Sequence, residues 1–337
     1  MFYYYKIFFF LILMTGSLIS ISSNSWMGMW LGLEINLMAF IPLIHKKNNI
    51  LSSESSIKYF LIQVLASIIL LFTMILMSKF NLIMLNINNS MILIFNSMLL
   101  TKMGMTPFHF WFPEVIEGLN WINCFILLTW QKLTPMILIM YNLNYELFFI
   151  MVIMSSMIIS GIMGINQLSL RKILAYSSIN HMAWMLSAMM LSETIWSYYF
   201  IIYTLMTLNI TLILNKYKIY YNNQLMISFN NNFMMKLIFS MNFLSLGGLP
   251  PFIGFFPKWL TIQYMISINW IFLPLMMMFM TLLTLYYYTQ LTFKIIILSF
   301  SQINYYNSFK SNNFTMMFIN ILVLSSLIMY TIFFNFL

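Results

Sequence analysis

Leu100-Thr101-Lys102-Met103-Gly104-Met105-Thr106-Pro107 decides how this chain folds. An apolar run of membrane-crossing length leads into it, with a lysine inside the run and a glycine and a proline just beyond. Proline has no N–H for the helical ladder and its ring crowds the preceding turn, so the helix must break past Lys102. A break at membrane depth frees carbonyls that need water or a side chain. A second break is written at Ser245-Leu246-Gly247-Gly248-Leu249-Pro250-Pro251, again with a lysine nearby, Lys258. Interrupted helices at matching places in two halves of a chain are the sequence signature of a repeat transporter.

Composition sets the class. Hydrophobic residues make up 62% of the 337 positions and charged residues 6%, a balance no soluble domain could hide, so the chain is an all-α polytopic membrane protein. At about 20 residues per crossing, about eleven spans are expected, at 3–22, 25–44, 56–78, 91–112, 121–141, 147–166, 172–190, 194–214, 233–262, 270–292 and 315–335. The discontinuous ones lie near 91–112 and 233–262. The expected division is a first five-helix repeat over 1–145, a second over 146–298, and a loop with a C-terminal span over 299–337.

Alternating the loops between two sides puts eleven basic residues (Lys6, Lys46, Lys47, Lys58, Arg171, Lys172, Lys216, Lys218, Lys236, Lys294, Lys310) with the N-terminus and Lys79 alone opposite. The excess predicts an N-terminus on the side of synthesis and, with an odd span count, a C-terminus across the membrane. The opening stretch reads as a retained first span, since no small-residue cleavage site follows its apolar run. The bias toward Ile, Phe, Met, Asn, Tyr and Lys points to organellar synthesis. Cys124 is the only cysteine and Asp is absent, which argues against a disulfide, a thiolate metal site or an iron–sulfur centre. No dinucleotide fingerprint or P-loop is present.

Four ionisable side chains fall near the middle of spans: Glu34, Lys102, Lys132 and Lys258. Each costs ~3 kcal/mol at bilayer mid-depth, and their default meaning is an ion or proton pathway. Lys132 is too central to snorkel well. Glu34 is expected to pair with Lys102, the pair taking up and releasing a proton as it opens and closes. His181, in a polar stripe of the seventh span, suits either a relay between lysines or a packing histidine. His109 reads as structural in the bent helix, and Glu54 with Lys58 as an ion pair four residues apart.

Several stretches, in order, are similar to a known family: Leu33-Glu34-Ile35-Asn36, Pro107-Phe108-His109-Phe110-Trp111-Phe112-Pro113-Glu114, Thr129-Trp130-Gln131-Lys132, Ser177 to Trp184, and Asn242 to Phe252. The chain resembles the chain 2 family of mitochondrial NADH:ubiquinone oxidoreductase (respiratory complex I), in its shortened, insect-like animal form, one of the antiporter-like membrane-arm subunits. The resemblance implies two inverted five-helix bundles and a hydrated proton path through Glu34, Lys102, Lys132 and Lys258. It further implies that NADH, flavin, iron–sulfur clusters and ubiquinone are used elsewhere in the complex, with no cofactor or metal bound by this chain. The partners would be other membrane-arm subunits and the bilayer, with no nucleic acid. The location would be the mitochondrial inner membrane, N-terminus in the matrix and C-terminus in the intermembrane space. The expected role is proton translocation coupled to quinone reduction. A free-standing cation/proton antiporter would need more carboxylates than Glu34, and a structural scaffold would leave the four charges without a purpose. Loops 216–232 and 299–313 match least.

Overall fold

The computed structural model describes residues 4–46, 49–80, 85–229 and 233–297. Among the described residues it is all-α: helices occupy every stretch expected up to residue 292, and seven stretches are long and apolar enough to cross a membrane. The expected span at 315–335 lies outside the described residues. The chain separates into two compact units, Met1–Val152 and Ile153–Leu337.

The first unit opens with α1 (Tyr4–Ser22) and α2 (Trp26–Ile44), the latter started by Ser25, whose side chain accepts from the Gly28 N–H at 3.3 Å. These two helices touch backbone to backbone. A Cβ at Gly32 would lie 2.7 Å from the Gly16 carbonyl oxygen and 2.5 Å from the Ser20 nitrogen. Small residues bring membrane helices this close where no hydrophobic force separates helix from lipid. Gly32→Leu is expected to prise the pair apart at a cost of about 3 kcal/mol, read as a lower melting temperature of the assembled protein.

α3 (Ile50–Phe80) packs on α2 and on α4 (Leu85–Met103). The break after α4 runs to α5 (Trp111–Gly118), so the broken span extends past the expected end at 112. The span expected over 121–141 is one candidate crossing, Trp121–Met140, made of α6 (Trp121–Leu128) and α7 (Trp130–Met140) with the single residue Thr129 between them. At Thr129 the hydroxyl bonds the Phe125 carbonyl at 2.7 Å, and Pro135 downstream cannot donate to Gln131. α8 (Glu146–Ile165) carries the chain into the second unit.

There, α9 (Leu170–Met189) is buried along nearly its whole length and packs against α10 (Glu193–Tyr217). A short α11 (Asn222–Phe229) lies within 216–232, a stretch for which no helix was expected. The expected long span at 233–262 is α12 (Phe233–Gly247), a break, and α13 (Phe255–Ser267), followed by α14 (Phe272–Ile297).

The two breaks are built alike. Gly104 and Gly248 sit in the left-handed region, at φ 75° and 80°. In the first, Gly104 N–H bonds the Thr101 carbonyl and Met105 N–H the Leu100 carbonyl, both at 3.1 Å. In the second, Gly248 bonds Ser245 at 3.0 Å and Leu249 bonds Leu244 at 3.4 Å. This is the Schellman ending, which only a residue free of a Cβ adopts without strain. Each glycine lies three residues before a proline, Pro107 or Pro251, and ten before a charge, Glu114 or Lys258.

Candidate functional site

In the first unit, α3 presents Tyr59, Gln63 and Ser67 at intervals of four, all buried on one face. Lys102 comes from the last turn of α4 and is 7% exposed. Its side chain lines a cavity of ≈ 10 Å³ with Asn36, Tyr59, Gln63, Gln131 and Thr134, close to the room one water needs. The walls are cross-linked: Gln131 Nε2 donates to Asn36 Oδ1 at 2.9 Å, and the Tyr59 hydroxyl to Gln131 Oε1 at 3.4 Å. The Thr101 carbonyl, which accepts from Gly104 N–H, takes a second bond from Trp111 Nε1 at 3.1 Å, and the Lys102 carbonyl accepts from Gln63 Nε2 at 3.3 Å.

Glu34 is not paired with Lys102, contrary to the expected direct contact. Its Oε1 accepts from the Ser67 hydroxyl at 2.6 Å, and among the described residues the ion pairs within 4.0 Å both involve Lys58. The reason is helical register. Asn36 faces the Lys102 cavity, and Glu34, two residues back, is turned roughly 200° around α2. The carboxylate still acts on Lys102 and Tyr59 through space. Its Oε2 is buried without a protein donor. Lys132, 1% exposed, sits with Nζ 5.0 Å from the centre of the Phe112 ring, the same ring that a Cβ at Gly104 would strike. The Glu54–Lys58 pair forms at 2.9 Å, and Lys58 also holds Glu114 of α5 at 2.9 Å.

In the second unit, Lys258 stands near the start of α13, 6% exposed. Its Nζ donates to the Gly247 carbonyl at 2.8 Å, capping the end of α12, where the helix dipole is negative. The amine also lies 5.9 Å from the centre of the Trp184 ring. His181 is one turn back on α9, with Nδ1 3.0 Å from the Tyr199 hydroxyl and its ring 5.2 Å from that of Tyr203. His109 is buried within the first break, where its carbonyl accepts from Phe112 N–H at 3.0 Å. Sequence reading missed Tyr59, Gln63 and Ser67, although their four-residue spacing inside an apolar span was a signal.

Two broken membrane helices, each ended by a left-handed glycine and each with a buried lysine close by, define an antiporter-like membrane fold. Residues 23–284 match the family described as NADH:quinone oxidoreductase/Mrp antiporter, transmembrane, and the chain belongs to that family. It is 48% identical over 296 residues to NADH-ubiquinone oxidoreductase chain 2 of Anopheles gambiae, covering 87% of this chain and 86% of that one. With the Aedes aegypti protein of the same name the identity is 50% over 312 residues, covering 91% of each. Among solved structures, a chain of respiratory complex I from Thermus thermophilus superposes with TM-score 0.83 at 19% identity, covering 95% of this chain and 77% of that chain. A chain of the Mrp complex from Dietzia gives 0.74 at 15% identity, covering 86% and 60%.

Proposed function

We propose that this chain is a proton-translocating membrane-arm subunit of mitochondrial respiratory complex I, moving hydrogen ions through Glu34, Lys102, Lys132 and Lys258, with His181 as a further relay. The redox steps, from NADH to ubiquinone, take place in other subunits of the complex, and their electrostatic effect drives these groups between charge states. The observation that carries this reading is Lys102: a buried amine at a helix break, facing a polar cavity with room for about one water, and within the field of Glu34. A scaffold would have no use for that arrangement, since an unpaired charge at mid-depth costs ~3 kcal/mol. Likeness to chain 2 proteins along most of their length supports the membership of complex I and the inner-membrane location. The eleven-to-one excess of basic residues supports an N-terminus in the matrix.

The test is a Lys102→Ala chain in the assembled complex, reconstituted into vesicles, with protons moved and NADH oxidised counted together. A lower proton-to-electron ratio is expected. An unchanged ratio in a fully assembled variant would hand the case to the scaffold.

A further inference from the structure

We propose that Phe112 is a positioning residue for Lys132: its ring, seated against the glycine that ends α4, holds the lysine's ammonium and ties that charge to the break beside Lys102. The proposal rests on the relay reading above and adds to it a residue that itself carries no charge.

Phe112 is the second residue of α5 and is 1% exposed. Its place is fixed from several sides. A Cβ on Gly104 would stand 2.8 Å from the Phe112 Cβ and 2.9 Å from its Cγ, so the bare α-carbon lies against the side chain. The Trp111 ring meets it edge-on, with centres 5.6 Å apart and planes at 88°. Trp111 in turn donates from Nε1 to the Thr101 carbonyl at 3.1 Å, which ties it to the end of α4. Glu114, two residues on, is held by Lys58 of α3 at 2.9 Å, and that pair anchors α5. The ring so placed faces α7, where Lys132, also 1% exposed, brings its Nζ to 5.0 Å from the ring centre.

What the ring does there follows from its charge distribution. Its π face is negative, and a protonated amine within about 6 Å of the centroid is attracted to it, most strongly where water is excluded. A neutral amine gains far less. A carboxylate would be the stronger partner and the wrong one for a relay. An opposite charge at low dielectric would clamp the ammonium and keep its proton in place. Phenylalanine has no proton to give or take, so it steadies the ammonium and still lets the proton move on.

The contact with Gly104 supplies the link to the break. Gly104 stands two residues beyond Lys102, in the left-handed region at φ 75°. A shift of the α4 ending therefore moves the ring, and a moved ring changes how well the Lys132 charge is held. Glycine serves twice at this position, once for the turn and once for the room that the ring occupies.

The deciding experiment measures the proton-to-electron ratio in assembled, vesicle-reconstituted complex carrying Phe112→Leu, Phe112→Tyr or Lys132→Met. Leucine keeps an apolar side chain and removes the π face, whereas tyrosine retains that face. Phe112→Leu is expected to lower the ratio toward that of Lys132→Met, and Phe112→Tyr is expected to pump measurably better than the leucine variant. A normal ratio in assembled Phe112→Leu overturns the proposal and leaves the relay standing, provided Lys132→Met lowers the ratio. An equal loss with tyrosine overturns it too, since shape alone would then explain the effect. If Lys132→Met itself pumps normally, the relay reading fails at that lysine and the proposal goes with it. Should the Phe112 variants not assemble, a high-resolution density map of the unmodified complex decides. The Lys132 amine over the Phe112 face is expected, and an amine turned away from the ring overturns the proposal.

Discussion

Lys258→Met is expected to abolish proton passage through this chain, and Lys258→Arg is expected to do the same. Methionine fills similar volume but removes both the titratable nitrogen and the donor to Gly247, leaving a helix-end carbonyl unanswered. A loss with methionine alone could therefore come from a damaged break. Arginine separates the two effects. It can still donate to Gly247 and lie over Trp184, but its guanidinium holds its proton at any physiological pH. If Lys258 passes protons, both variants lower the proton-to-electron ratio equally. If Lys258→Arg pumped like the unmodified complex, the side chain would be a helix cap and nothing more.

Gly254→Ala is expected to prevent assembly, whereas Gly247→Ala is expected to be tolerated. The two glycines look equivalent in sequence, flanking the same break. In space they differ sharply. A Cβ on Gly254 would collide with the Ser245 carbonyl oxygen, a backbone atom that already accepts from Gly248 at 3.0 Å and cannot swing aside. A Cβ on Gly247 would meet only Tyr288 and Leu285 side-chain atoms, at 3.6 Å and beyond. Relief at Gly254 requires opening the break, a loss of about 4 kcal/mol or more. Abundance of the assembled complex and its melting temperature read the contrast. Normal assembly of Gly254→Ala would show that α13 can retreat from α12.

The breaks were legible because glycine and proline act locally: Gly104 and Gly248 need no distant partner to end a helix. The single non-helical residue at Thr129 was not legible, since a threonine hydroxyl turning back to its own helix does not by itself interrupt one, as Thr207 and Thr211 show inside the continuous α10. The four mid-span charges stood out against an apolar background. Their neighbours did not. Asn180 bonds Thr284 at 3.2 Å across 104 residues, and no single sequence announces such a pairing. The tyrosines near His181 were hidden among twenty of their kind. Glu34 and Lys102 were read as partners from charge alone, and the turn of α2 between residues 34 and 36 was the missing information.

The bond from Lys258 to the Gly247 carbonyl has one more consequence. An ammonium has three hydrogens and a neutral amine has two, so the nitrogen can keep its grip on that oxygen in either state. Only the strength of the grip changes, the uncharged donor being the weaker. The side chain can therefore charge and discharge while anchored to one spot, and the helices around it need not rearrange at each cycle.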